Sequence, residues 1–152
     1  MAVTAFWYAK AFLAAFNAEI DFDNGIKVAL TLNAYTPNQD THDYFNDVTN
    51  EIADTGYTAG GFSLVNPTKA TATNVLTLDS DDPSWTSGNP ATFTARRAVY
   101  NDSTPGTAAT NPLLIWVDFG ADQVAQNGGV FTIQHAGTGI GTVTASDAAG
   151  FP

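Results

Sequence analysis

The sequence predicts a mainly β protein: an antiparallel β-sandwich of jelly-roll-like form with one N-terminal α-helix. Three observations carry that reading. Short runs rich in Val, Ile, Leu, Thr and aromatic residues recur along the chain with period-two alternation. Turn residues punctuate them about every 8–12 positions, as in small all-β domains. Only the first segment combines helical spacing with an absence of Gly and Pro. At 152 residues, with a hydrophobic fraction of 44%, the chain is expected to form a single domain over 1–152 with a sizeable core.

The elements are expected in the following order. Thr4 to Asn17 (TAFWYAKAFLAAFN) predicts a helix at about 4–17, because alanine dominates it and Thr4 can serve as its N-cap. Phe6, Ala9, Leu13 and Phe16 make one apolar stripe; Trp7, Ala11, Ala14 and Ala18 make a second of smaller residues. Asp23-Asn24-Gly25 signals a turn, and Ile26 to Leu32 alternates as a half-buried strand. Tyr35 to Gln39 reads as a loop, Asp40 to Phe45 as a helical turn, and Val48 to Ile52 as a short strand. After Gly60-Gly61 a new segment starts at Phe62, and Thr68 to Leu78 reads as one alternating run. Asp79 to Pro90 is a loop around Trp85, Thr92 to Tyr100 a strand, and Asn101 to Asn111 a loop. Leu113 to Phe119 (LLIWVDF) predicts a central strand covered on both faces. Asn127-Gly128-Gly129 turns the chain into Val130 to Ile133, Ile140 to Ala145 closes the fold, and Asp147 to Pro152 is a tail.

Charge narrows the function classes. Fifteen acidic residues stand against five basic ones, a formal net charge of −10, and such a field repels phosphate backbones and anionic membranes. Neither nucleic acid nor a membrane is therefore expected as a partner. Arg96 and Arg97 are adjacent, and neighbours on a strand point to opposite faces, so no basic patch is expected from them. The absence of cysteine excludes disulfides and thiolate metal sites. The apolar N-terminal stretch has no cationic region before it and is interrupted by Lys10, which predicts no secretory leader.

Motifs for chemistry are sparse. His42 and His135 have no histidine four residues on and no E-x-x-H partner, so both are expected as solvated or hydrogen-bonded residues and no metal is assigned. Asp21-Phe22-Asp23-Asn24-Gly25 opens like a calcium loop, but no glutamate follows at the bidentate position, and a turn accounts for it better. Asp79, Asp81 and Asp82 lack ligand spacing. There is no G-x-S-x-G elbow and no P-loop, and Gly137-x-Gly139-x-Gly141 lacks the βαβ context of a dinucleotide site. Asp118, inside the most apolar strand, reads as a strand-end carboxylate capping loop amides. No catalytic residue and no cofactor are expected.

Glu19 to Thr31 (EIDFDNGIKVALT), Tyr35 to Asp43 (YTPNQDTHD), Asp47 to Glu51 with Gly56 to Gly61, and Pro112 to Asp122 (PLLIWVDFGAD) resemble a family of small structural proteins of tailed bacteriophages. The resemblance runs from the N-terminal segment to about Ile133 and implies a virion component without supplying catalytic or ligand residues. The expected role is a capsid decoration or cement protein on the head surface, assembled in the host cytoplasm and held by the major capsid protein or another virion protein. The alternative is a neck, tail or fibre component with receptor or glycan contact. A homo-oligomer, a trimer above all, is expected, with Phe6, Trp7, Leu13 and Phe16 as the candidate subunit contact.

Overall fold

A computed structural model describes residues 2–146; the tail expected at Asp147 to Pro152 lies outside the described residues. The fold is mainly β and antiparallel, with one α-helix. Strand β1 (Thr4–Trp7) leads into helix α1 (Ala9–Phe16), then β2 (Ile26–Thr31), a 3-10 turn at Phe45–Asp47 and the short β3 (Phe62–Ser63). β4 (Thr68–Ala72) and β5 (Val75–Asp79) precede β6 (Ser84–Thr86) and the long β7 (Thr92–Asp102) and β8 (Leu113–Gln126). β9 (Val130–Thr132) and β10 (Gly141–Thr144) follow. A five-stranded sheet, β1-β8-β7-β2-β3, forms one layer, and the sheets β10-β5-β4 and β6-β9 pack across it.

Apolar residues dictate this layering. Val28, Leu30, Ala98, Tyr100, Ile115 and Val117 share one face of the large sheet and meet Leu78, Trp85 and Ile133 from the smaller sheets and the segment after β9. The opposite face, at Val99 and Leu113, is covered by Tyr8, Ala11 and Tyr35. β8 is therefore covered on both sides, as its unbroken apolar run predicts. β2 departs from the expected half-burial: Ala29 and Thr31 are buried as well, because the chain from Leu32 to Ile52 folds back over that side. The strand expected at Val48 to Ile52 reduces to a single bridge, Thr31 to Glu51, beside backbone bonds from Leu32 N–H to Asn50 O and Ile52 N–H to Leu30 O.

The helix expected at 4–17 is corrected at its start. Thr4 to Trp7 is extended and pairs with Asp118 to Ile115 of β8. The aromatic and β-branched side chains here gain more from a sheet edge than from one extra helical turn, and Phe6 stacks on Trp116 at 4.7 Å. Tyr8 sits at φ −74°, ψ 136° as the N-cap, with its amide still bonded to Leu114 O at 2.9 Å. The remaining eight residues form a helix too short to stand without packing, and buried Ala11 and Ala14 let it approach the sheet closely. Within the helix the small stripe is buried at Ala11 and Ala14, and the large one faces outward at Leu13 and Phe16.

Two further elements escape the alternation pattern. Thr68 to Leu78 is a hairpin, turning at Thr73 and Asn74, both with positive φ as a two-residue type I′ turn requires. The loop around Trp85 contains β6, paired with β9 by Trp85 opposite Phe131. The glycine-rich run at 137–141 is a turn: Gly139 N–H bonds Ala136 O at 2.8 Å, and a Cβ on Gly139 would lie 2.3 Å from Leu78 O. That close approach lets β10 pair with β5.

Candidate interaction surface

The outer face of α1 presents Phe12, Leu13 and Phe16 together, with Leu13 60% and Phe16 90% exposed. Phe12 and Phe16, one helical turn apart, form one wall of a groove of about 380 Å³ whose other walls are Trp7, Ile20, Leu76 and Val143. Lys69 stands at its rim, paired with Asp23 at 2.6 Å. On the far side of the ridge Lys10 pairs with Asp43 at 2.9 Å, and the Tyr44 hydroxyl donates to Glu19 at 3.2 Å. Bonding to that carboxylate and its negative charge push the Tyr44 phenol up. The surface is an apolar ridge bordered by carboxylates and two paired lysines.

The candidate contact residues separate. Trp7 and Phe16 share the groove, Leu13 lies over the crest beside Lys10 and Ala14, and Phe6 is on the opposite face of β1 against Trp116. Phe12, absent from both sequence stripes, belongs to the ridge. Its signal was the i, i+4 spacing to Phe16, which emerges once the helix begins at Ala9. With its side chain mostly in water, Leu13→Ala is expected to change folding stability by about 0.5 kcal/mol, read by urea unfolding.

Several ionisable groups elsewhere are held in structural contacts. Arg96 and Arg97 do not diverge as adjacent strand residues should: the register shifts between Ala95 and Arg97, with Phe119 to Asp122 of β8 as the extra residues, and both arginines reach Asp118, at 2.7 and 3.1 Å. Asp118 also accepts the Gly120 amide at 2.7 Å, and it sits mid-strand because β8 runs on to Gln126. Burial alone would raise its pKa, but the Arg96 bond, the Gly120 amide and the Arg97 charge together hold it below the usual carboxylate range. Buried Asp102 accepts the amides of Asp21 at 2.6 Å and Thr104 at 2.7 Å. His42 Nδ1 lies 3.1 Å from the Tyr35 hydroxyl, which meets the Tyr8 hydroxyl at 2.8 Å; burial raises both phenols. His135 bridges the Tyr100 hydroxyl at 3.0 Å and Ser80 O at 3.2 Å. In the Asp21 turn, the Asp23 N–H and the Asn24 amide both bond the Asp21 carboxylate at 3.1 Å. Among the described residues no three His, Cys, Asp or Glu side chains are grouped to hold a metal ion.

A hollow of about 500 Å³ opens at the β1 side of the sandwich, lined by Tyr100, Phe119, Phe131, Gln123, His135 and Thr142 among others, none of them Asp, Glu, Lys or Arg. No family model, no curated protein and no solved structure matches the chain.

Proposed function

We propose that this protein is a structural component of a tailed-bacteriophage virion, a decoration or cement protein that holds a head shell through protein–protein contact and performs no catalysis. The observation that carries the reading is the ridge of Phe12, Leu13 and Phe16, an apolar surface left in water along an apolar groove that Phe12 and Phe16 help to wall. The phage resemblance of the strand and loop motifs supports the same reading. So does the engagement of Asp118, Asp102, His42 and His135 in bonds that hold strands and loops together. A repeated shell multiplies a weak contact by copy number, so one short helix suffices at each site.

The test is occupancy on particles. Phe16→Ser should fold as the parent does and lower occupancy on purified shells about tenfold or more, the equivalent of about 1.4 kcal/mol of lost apolar contact. Unchanged occupancy with this variant would reject the ridge as the docking surface. Copy number separates head from tail: hundreds of labels over the shell support cement, and a few tens at one vertex support the neck or tail. That second reading, a neck, tail or fibre component touching a glycan, draws on the uncharged hollow beside Phe119 and Phe131, where amide, hydroxyl and aromatic groups suit a neutral sugar.

A further inference from the structure

The open edge of β1 is a second interaction surface, independent of the α1 ridge and of any virion role. Among the described residues β1 has one strand neighbour, β8. The Tyr8 amide bonds Leu114 O, and with the register Phe6 to Trp116 and Thr4 to Asp118 this places residues 4, 6 and 8 in the hydrogen-bonded pairs. The N–H and C=O groups of Val3, Ala5 and Trp7 therefore point away from the sheet, and Val3 to Phe6 are exposed. Proteins ordinarily blunt such an edge with charge, proline, a bulge or extreme shortness. β3, at the other end of the sheet, is two residues long; β4 carries Lys69; Trp7 Nε1 donates to Thr142 O of β10 at 3.2 Å. Val3-Thr4-Ala5-Phe6-Trp7 has none of these devices.

We infer that this edge pairs with β1 of a second copy, antiparallel about a two-fold axis, joining two five-stranded sheets into one of ten. The segment is its own complement. Centred on Ala5, the pairing sets Ala5 against Ala5 and Val3 against Trp7 of the other copy, so every outward amide and carbonyl from 3 to 7 finds a partner. Exposed Val3 is then covered by an indole, and Thr4 meets Phe6 on the reverse side, both cross-strand pairs that sheets favour. Among the described residues, Asp118, the carboxylate opposite Thr4 on β8, is held by Arg96 and Arg97 and so presents no unpaired negative charge where two acidic chains would meet. The association inferred here is two-fold, where a trimer above all is expected from the sequence.

Sedimentation velocity of the whole chain from low to high micromolar concentration tests this, with hydrogen exchange at both ends of the range. The expected result is a monomer–dimer equilibrium in which the Ala5 and Trp7 amides become protected as the dimer fills. Ala5→Pro removes an outward N–H and none of the β1–β8 bonds, so it should weaken dimerisation at least tenfold at an unchanged melting temperature. If proline disturbs the fold, Ala5→Lys decides, since it puts like charges face to face at the axis. Phe16→Ser should leave the dimer intact, which separates this edge from the shell-binding ridge. A wild-type chain that stays monomeric, forms a trimer, or dimerises equally in both Ala5 variants overturns the inference.

Discussion

Trp85→Ala is expected to be the most damaging single core substitution of its kind, costing about 3–5 kcal/mol in urea unfolding. The indole is 5% exposed and packs against Tyr57, Phe62 and Phe131, at centroid distances of 6.5, 5.6 and 5.8 Å. These neighbours come from the loop leading into β3, from β3 itself and from β9, so the truncation opens a space between two stretches distant in sequence. Phe131 in turn touches Phe93 and Phe119, which relays the loss toward the large sheet. A cost under about 1 kcal/mol would mean that the small sheets do not depend on this contact.

Asp118→Asn should cost about 3 kcal/mol, because it removes the one carboxylate that compensates two guanidinium groups with side chains only 16% and 14% exposed, although Arg97 keeps its bonds to Asn33 O and Tyr35 O. Its pH dependence has a definite sign. The folded carboxyl titrates below its unfolded value of about 3.9, so its contribution is fully present above that value and disappears as pH falls through the lower folded value. The difference in stability between wild type and variant should therefore be constant from neutral pH down to about 4 and shrink below it. A difference that grew on acidification would contradict this placement of the charge.

The class of fold was legible in the sequence because period-two alternation and turn residues are local signals, and they located β2, β7, β8 and the Asn127–Gly129 turn. What was hidden depended on partners distant in sequence. Alanine and Thr4 favour a helix from the start of TAFWYAKAF, and only the ladder to Asp118–Ile115 pulls the first four residues into a strand. Thr73-Asn74 is an uncommon I′ pair, a β-branched residue at positive φ, so the β4–β5 hairpin looked like one run. The register shift has no signature in ARRAV because its extra residues lie on β8, where Phe119 to Asp122 face Arg96 alone and Gly120 takes φ +78°; it turns two apparently divergent arginines into a clamp.

Of the four residues expected at a contact surface, Leu13 and Phe16 lie on the outward face of α1. Large residues at helical spacing ordinarily mark the buried side. Here the sheet beneath α1 is filled by Tyr8, Tyr35 and Leu113, leaving depth only for alanine. Composition along the stripe cannot report that depth. Trp7 and Phe6, read as helical neighbours, are separated because consecutive residues on a strand face opposite ways.

The β4–β5 hairpin has a practical consequence of its own. All five residues of β4 are exposed, the turn is two residues long, and the tip at Thr73-Asn74 lies at the opposite end of β5 from the glycine-rich crossing at Leu78. The Asn74 carbonyl accepts the Ala145 N–H at 2.7 Å, which ties the tip to the end of β10, and a foreign peptide grafted there would extend from that edge without entering either core. If the proposed virion role holds, a particle carrying many copies would repeat whatever epitope or affinity tag the graft supplied.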